Sequence, residues 1–130
     1  MEKESLLQNK RVYIAIPKRL YDDKIVSRAI RYLHSLKPLV LDDPRGMFKD
    51  NEQWAKSFPN YLEQYDAVVV VTDDCFIGKG TYKELWYFVH KNLPRYQYIE
   101  RNKYQAISRL TGIHIVNWNN WIDYARTEYE

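Results

Sequence analysis

The run Ala67–Val71 (AVVVV), framed by Tyr65-Asp66 and by Thr72-Asp73, constrains the fold of this chain more than any other segment. Consecutive valines place β-branched side chains on both faces of a strand, so neither face can be left in water. A strand of this kind, read here over 65–72, belongs in the interior of a parallel sheet with cover on both sides. At five residues the run is far short of the roughly 20 that a helix needs to cross a bilayer.

Parallel neighbours cannot be joined by hairpins and need crossover segments, usually helices. The flanking sequence supplies them. Further strands are expected at 11–16 (RVYIAI), 38–41 (PLVL), 96–100 and 113–117 (IHIVN). Between 20 and 36 the apolar spacing changes to Val26, Ala29, Ile30, Leu33 and Leu36, a helical period. A second helix is expected over 52–64, kinked or split at Pro59, a third over 81–92, and a last over 118–130 capped by Asn117 or Asn119. Residues 103–110 read as a short helix or an irregular connection. The pattern predicts a three-layer α/β domain over 11–130, with a mostly parallel sheet of about five strands and helices on both faces. Residues 1–10 read as a short lead-in. In such folds ligands bind at the carboxyl ends of the strands.

Composition narrows the function classes. The 130 residues are 45% apolar and 28% charged, which excludes intrinsic disorder, and four Gly with five Pro exclude a collagen-like or low-complexity chain. The net charge of +3 is mild and argues against nucleic acid as a partner. Cys75 is the single cysteine, so no internal disulfide can form. The first ten residues alternate Lys and Glu and lack a signal peptide's apolar core, so a cytoplasmic location and no membrane partner are expected. His34, His90 and His114 are widely separated, and no metal site or cofactor motif is expected. The segment IGKGT (77–81) fails as a P-loop because Asp73 and Gly80 occupy positions that need Gly and Ser or Thr.

The densest chemistry lies in 72–88 (TDDCFIGKGTYKELWYF). Gly78 and Gly80 would let backbone approach a ligand or adopt positive φ. Gly80 and Thr81 fall where a helix start exposes unpaired N–H groups to an anion. Glu84 follows about one turn later. It is either a poised carboxylate facing the strand ends or a surface group paired with Lys83 or Lys91 or simply solvated. A poised carboxylate suits a reaction that builds positive charge on a sugar ring. With four Trp, 12 Tyr and four Phe, the chain is rich in aromatics. Trp54, Phe88 and Trp121 are assigned to packing faces, whereas Tyr13, Phe76, Tyr82 and Trp86 gather around the strand-end site.

The segments RVYIAIP (11–17), YDAVVVVTDD (65–74) and GTYKEL (80–85), with the ending IHIVNWNNWIDYA (113–125), resemble the nucleoside 2-deoxyribosyltransferase-like proteins. The resemblance implies a flavodoxin- or Rossmann-like sheet and an enzyme that cleaves an N-glycosidic bond. It implies Glu84 as the nucleophile at C1′ and Asp73 or Asp74 as proton donor or sugar-orienting group. Tyr13 would be a positioner, Gly80 and Thr81 would hold a 5′-phosphate or hydroxyl, and a homo-oligomer is implied as well. The chain departs from the family's pattern at Gly78, where an aspartate is usual, at Trp86, where a small residue is common, and at Ile16, where the first strand has glycine. These departures imply a substrate pocket narrowed, rebuilt or lost. RVYIAI with LDDPRG (41–46) and a helix glutamate also resembles the TIR and TIR-like domains, which implies NAD cleavage or self-association. Three functions are thus expected to compete: an N-glycosidase or deoxyribosyltransferase for a nucleoside or nucleotide, a non-catalytic nucleotide- or signal-binding domain, and an interaction module.

Overall fold

A computed structural model describes residues 6–71, 79–99 and 112–115. Four strands, β1 (Arg11–Ala15), β2 (Val40–Asp42), β3 (Ala67–Val71) and β4 (Arg95–Ile99), pair in parallel in the order β2-β1-β3-β4. A further strand, β5 (Gly112–Ile115), pairs antiparallel with the free edge of β4. Three helices accompany them: α1 (Lys24–Ser35), α2 (Asn51–Ser57) and α3 (Lys79–His90). This is an α/β fold.

The valine run occupies the place its composition demands. All five residues of β3 are buried, and they alternate between two apolar clusters. Val69 and Val71 join Val12 and Ile14 of β1 against Val26, Ala29 and Leu33 of α1. Val68 and Val70 join Tyr13 and Ala15 against Leu85 and Phe88 of α3. Fully burying each such side chain contributes about 1.5–3 kcal/mol, which is why β3 is flanked by strands on both edges and helices on both faces. Asp66 ties the strand starts together. Its carboxylate accepts from the Arg11 backbone N–H at 2.9 Å and from the Arg11 guanidinium, while its own N–H donates to the Arg11 carbonyl. The aspartate before the valines therefore sets the β1–β3 register at this end.

Helix α1 is shorter than the 20–36 span its apolar spacing indicates. Residues 18–20 form a 3-10 turn, and Asp23 then caps α1, accepting from the Ile25 N–H at 2.9 Å. Asp23→Ala is expected to lower stability by about 1 kcal/mol, read as a lower denaturation midpoint with unchanged slope.

The expected helix over 52–64 is two pieces. Helix α2 ends at Ser57, Phe58 is extended, and after Pro59 a 3-10 turn spans Asn60–Gln64. Pro59 has no N–H to continue the ladder, and it disfavours helical backbone at the residue before it. The third helix starts two residues earlier than expected, at Lys79. The segments expected at 103–110 and 118–130, with the caps Asn117 and Asn119, lie outside the described residues. Among the described residues no helix is long and apolar enough to cross a membrane.

Candidate active site

Along α3 the buried positions are Thr81, Glu84, Leu85 and Phe88, a single stripe at helical spacing. Leu85 and Phe88 pack on the sheet. Thr81 and Glu84 continue the same stripe beyond the apolar cluster, toward the carboxyl ends of the strands. Glu84 is thereby carried inward by the packing of its neighbours and is only 3% exposed. It is neither solvated nor paired with Lys83 or Lys91.

Three neutral donors converge on one oxygen of this carboxylate. Tyr13 donates its hydroxyl to Glu84 Oε2, Tyr61 donates to the same oxygen at 2.5 Å, and the Trp54 indole N–H lies 3.3 Å from it. Trp54 also donates to the Tyr61 hydroxyl at 2.6 Å. Tyr13 reaches the site because β1 alternates: Val12 and Ile14 face α1, whereas Tyr13 and Ala15 face α3. Its ring packs against Tyr65 at 5.2 Å and Tyr61 at 6.0 Å, so its rotamer is held by aromatic contacts on two sides. Tyr65 in turn donates to Asp42 at the end of β2, at 2.8 Å.

The electrostatics follow from burial. Desolvation raises the Glu84 pKa, and the hydrogen bonds from Tyr13, Tyr61 and Trp54 oppose that rise. The Tyr13 and Tyr61 hydroxyls are pushed far above the usual phenol range, first by burial and then by the nearby Glu84 charge, so both stay protonated as donors. Tyr21 is raised in the same direction by burial, Glu84 and Asp43.

Glu84 opens onto a cleft of about 380 Å³. Ile16, Lys18 and Tyr21 line it from the segment after β1, Pro44 from the loop after β2, and Asn51, Trp54 and Ala55 from α2. Lys79, Gly80, Thr81 and Lys83 line it from α3. The cleft is thus at the carboxyl ends of β1 and β2 and roofed by α2. Its volume is within the roughly 300–1,000 Å³ of small-molecule sites.

Of the residues singled out from sequence, Tyr13, Glu84, Ile16, Gly80 and Thr81 come together here. Tyr13 sits in the middle of β1 rather than at its end. Gly80 does not take positive φ; it is helical, and a Cβ there would meet only the Trp54 ring at 3.8 Å, an ordinary contact. Trp86 does not narrow the cleft. Two residues past Glu84 it lies about 200° round the helix, 41% exposed, with its ring 5.2 Å from His90. Asp73, Asp74, Phe76 and Gly78 lie outside the described residues.

Trp54 and Tyr61 are the residues around Glu84 that sequence reasoning missed, Trp54 being assigned there to packing. A signal was present. Their spacing of seven would put both on one helix face, and a buried Trp or Tyr needs a partner for its polar end. Pro59 obscured the first cue, because it breaks the helix that the spacing presumes. Among the described residues no cluster of His, Cys, Asp and Glu is suited to a metal ion. Compared with protein families, with characterised proteins and with solved structures, the chain matches none.

Proposed function

We propose that this chain is an N-glycosidic-bond-cleaving enzyme, a deoxyribosyltransferase or N-glycosidase acting on a nucleoside or nucleotide. The reading is supported most by one arrangement: a buried glutamate, held through a single oxygen by three neutral donors, at the strand-end cleft of an α/β sheet. With Oε2 engaged by Tyr13, Tyr61 and Trp54, Oε1 is the oxygen to attack C1′. The C1′–O bond forms as the C1′–N bond breaks, and the bonding pair leaves with the base. The departing base takes a proton, in this reading from Asp73 or Asp74. Water or a second base then displaces the carboxylate from C1′. Donors that bind the ionised carboxylate without carrying charge keep it oriented and nucleophilic without forming an ion pair that would hold it back.

In the same reading the sheet is a three-layer, flavodoxin- or Rossmann-like arrangement and the partner is a small molecule. No nucleic acid or membrane is involved, no cofactor is required, and the location is cytoplasmic. The resemblances stated above add a homo-oligomer and keep a TIR-like, NAD-cleaving activity as a variant of the same chemistry. A non-catalytic nucleotide- or signal-binding domain is the second reading, favoured by the tilt of buried Glu84 toward its neutral form.

Purified protein incubated with nucleosides, nucleotides and NAD is expected to release free base, resolved chromatographically. Absence of release from every compound, together with a raised Tm for one of them, would establish the binding reading instead.

A further inference from the structure

Among the described residues the charges lining the cleft are unbalanced. Among its described lining residues three are lysines, Lys18, Lys79 and Lys83, and the single acid is Glu84. Glu84 is engaged by neutral donors at the cleft's base and pairs with none of the lysines, so a positive excess remains even with Glu84 ionised. Elsewhere three described cations are paired with acids: Arg11 with Asp66, Arg45 with Asp43 and Lys56 with Glu52. None of the three cleft lysines takes part in an ion pair among the described residues. Lys18 only donates to the neutral Asn51 side chain, at 2.7 Å.

The placement of Lys79 and Lys83 is unfavourable on two further grounds. They stand at i,i+4 on one helix face, where like charges repel. Lys79 also opens α3, where the helix dipole favours acids, and the first turn of α3 contains none. A third cation from a different segment of the chain faces the same cleft. Cations gathered on a concave wall against local stability create a field suited to an anion.

We propose that Lys18, Lys79 and Lys83 form a phosphate-binding rim, so that the substrate is a nucleotide and not a free nucleoside. The phosphoryl group meets the rim while C1′ of the same sugar faces Glu84. Ammonium groups bind phosphate as point charges, and three of them match a group carrying two or more negative charges better than a carboxylate. The orientation of the sugar rests on the glycosidic reading above; binding of phosphate does not.

Inorganic pyrophosphate is the first probe. It is expected to raise the Tm of the wild-type protein at low salt, with the shift shrinking as salt is added. The triple variant Lys18→Gln, Lys79→Gln, Lys83→Gln is expected to lose the shift. Without ligand that variant is expected to melt at or above the wild type, since repulsion is removed, so the loss reads the rim and not the fold. The corresponding triple Arg variant is expected to restore the shift. Pyrophosphate that fails to bind the wild type, or binds the Gln variant equally, overturns the proposal.

The second probe is base release from matched compounds: each 2′-deoxynucleoside, its 5′-monophosphate, and NAD. KM is expected to be at least about tenfold lower for a phosphorylated compound than for its nucleoside. The larger preference, monophosphate or dinucleotide, identifies the source of the phosphoryl group. Nucleosides cleaved as readily as nucleotides sink the rim while leaving glycosidic cleavage intact. Pyrophosphate binding that depends on the lysines, without base release from any compound, sinks the cleavage reading and leaves the rim standing.

Discussion

Glu84→Gln is expected to abolish base release, by about 10³-fold or more, while making the protein more stable at neutral pH. The first effect is the loss of the attacking oxygen: an amide cannot form the covalent ester, and nucleophile deletions are among the largest single losses in enzymes. The second follows from linkage. Burial raises the Glu84 pKa, so the folded state binds its proton more tightly than the unfolded chain does. Stability therefore falls as pH rises from the ordinary carboxylate range through the raised folded value, and above that value the whole penalty of the buried charge is felt. Glutamine carries no charge, and its carbonyl can accept from Tyr13, Tyr61 and Trp54 in place of Oε2. A gain of about 0.5–2 kcal/mol, or a few degrees in Tm, is expected at pH 7. The gain should vanish at acid pH, where Glu84 is neutral in both states. Calorimetry of the two proteins across pH checks this. A Glu84→Gln protein that is less stable at every pH would show that the carboxylate is structural, and base release that persists would remove Glu84 as nucleophile.

Tyr13→Phe is expected to lower activity by roughly 10²-fold and to move its pH dependence. The ring volume and its packing against Tyr61 and Tyr65 are retained, so the change removes only the hydroxyl that donates to Glu84. With two donors in place of three, the carboxylate loses orientation, and misplacement of an attacking group by about 1 Å has effects of that order. The Tyr13 hydrogen bond also lowers the Glu84 pKa. Its removal lets burial push that pKa higher still, so the acid limb of kcat/KM against pH shifts upward. Stability should fall by about 1.5–3 kcal/mol at neutral pH, the range for a hydrogen bond to a charged group, and by less in acid. An activity loss with no movement of the acid limb would separate Tyr13 from the ionisation of Glu84.

The two variants bear on one design. A buried carboxylate surrounded by cations would be fully ionised but electrostatically held. Surrounded by apolar groups alone, it would be neutral and inert. Tyr13, Tyr61 and Trp54 lie between these limits, opposing the desolvation of Glu84 without neutralising its charge. The aromatic residues divided from sequence between packing faces and the strand-end site thus include a third kind, whose rings pack and whose polar tips hold the acid.

How much of this was legible in the chain depends on the range of the interaction. The valine run required a strand covered on both faces, and with the alternating helical segments it implied an α/β fold with strand ends as the binding edge. Those are consequences of local period and burial, which a sequence displays directly. The GTYKEL segment drew attention to Glu84, and the resemblance it carries pointed to Tyr13 as a positioner. Their bond spans 71 positions and depends on the pairing of β1 beside β3 and on which side of β1 faces α3. Only the tertiary structure decided that Glu84 is buried and not solvated, because its direction is set by Leu85 and Phe88 packing on the sheet. Only the tertiary structure recruited Trp54 and Tyr61, across a helix break at Pro59, and turned Trp86 away. Local physics chose the elements, whereas the contacts that bury Glu84 and hold its carboxylate are long-range and follow from packing.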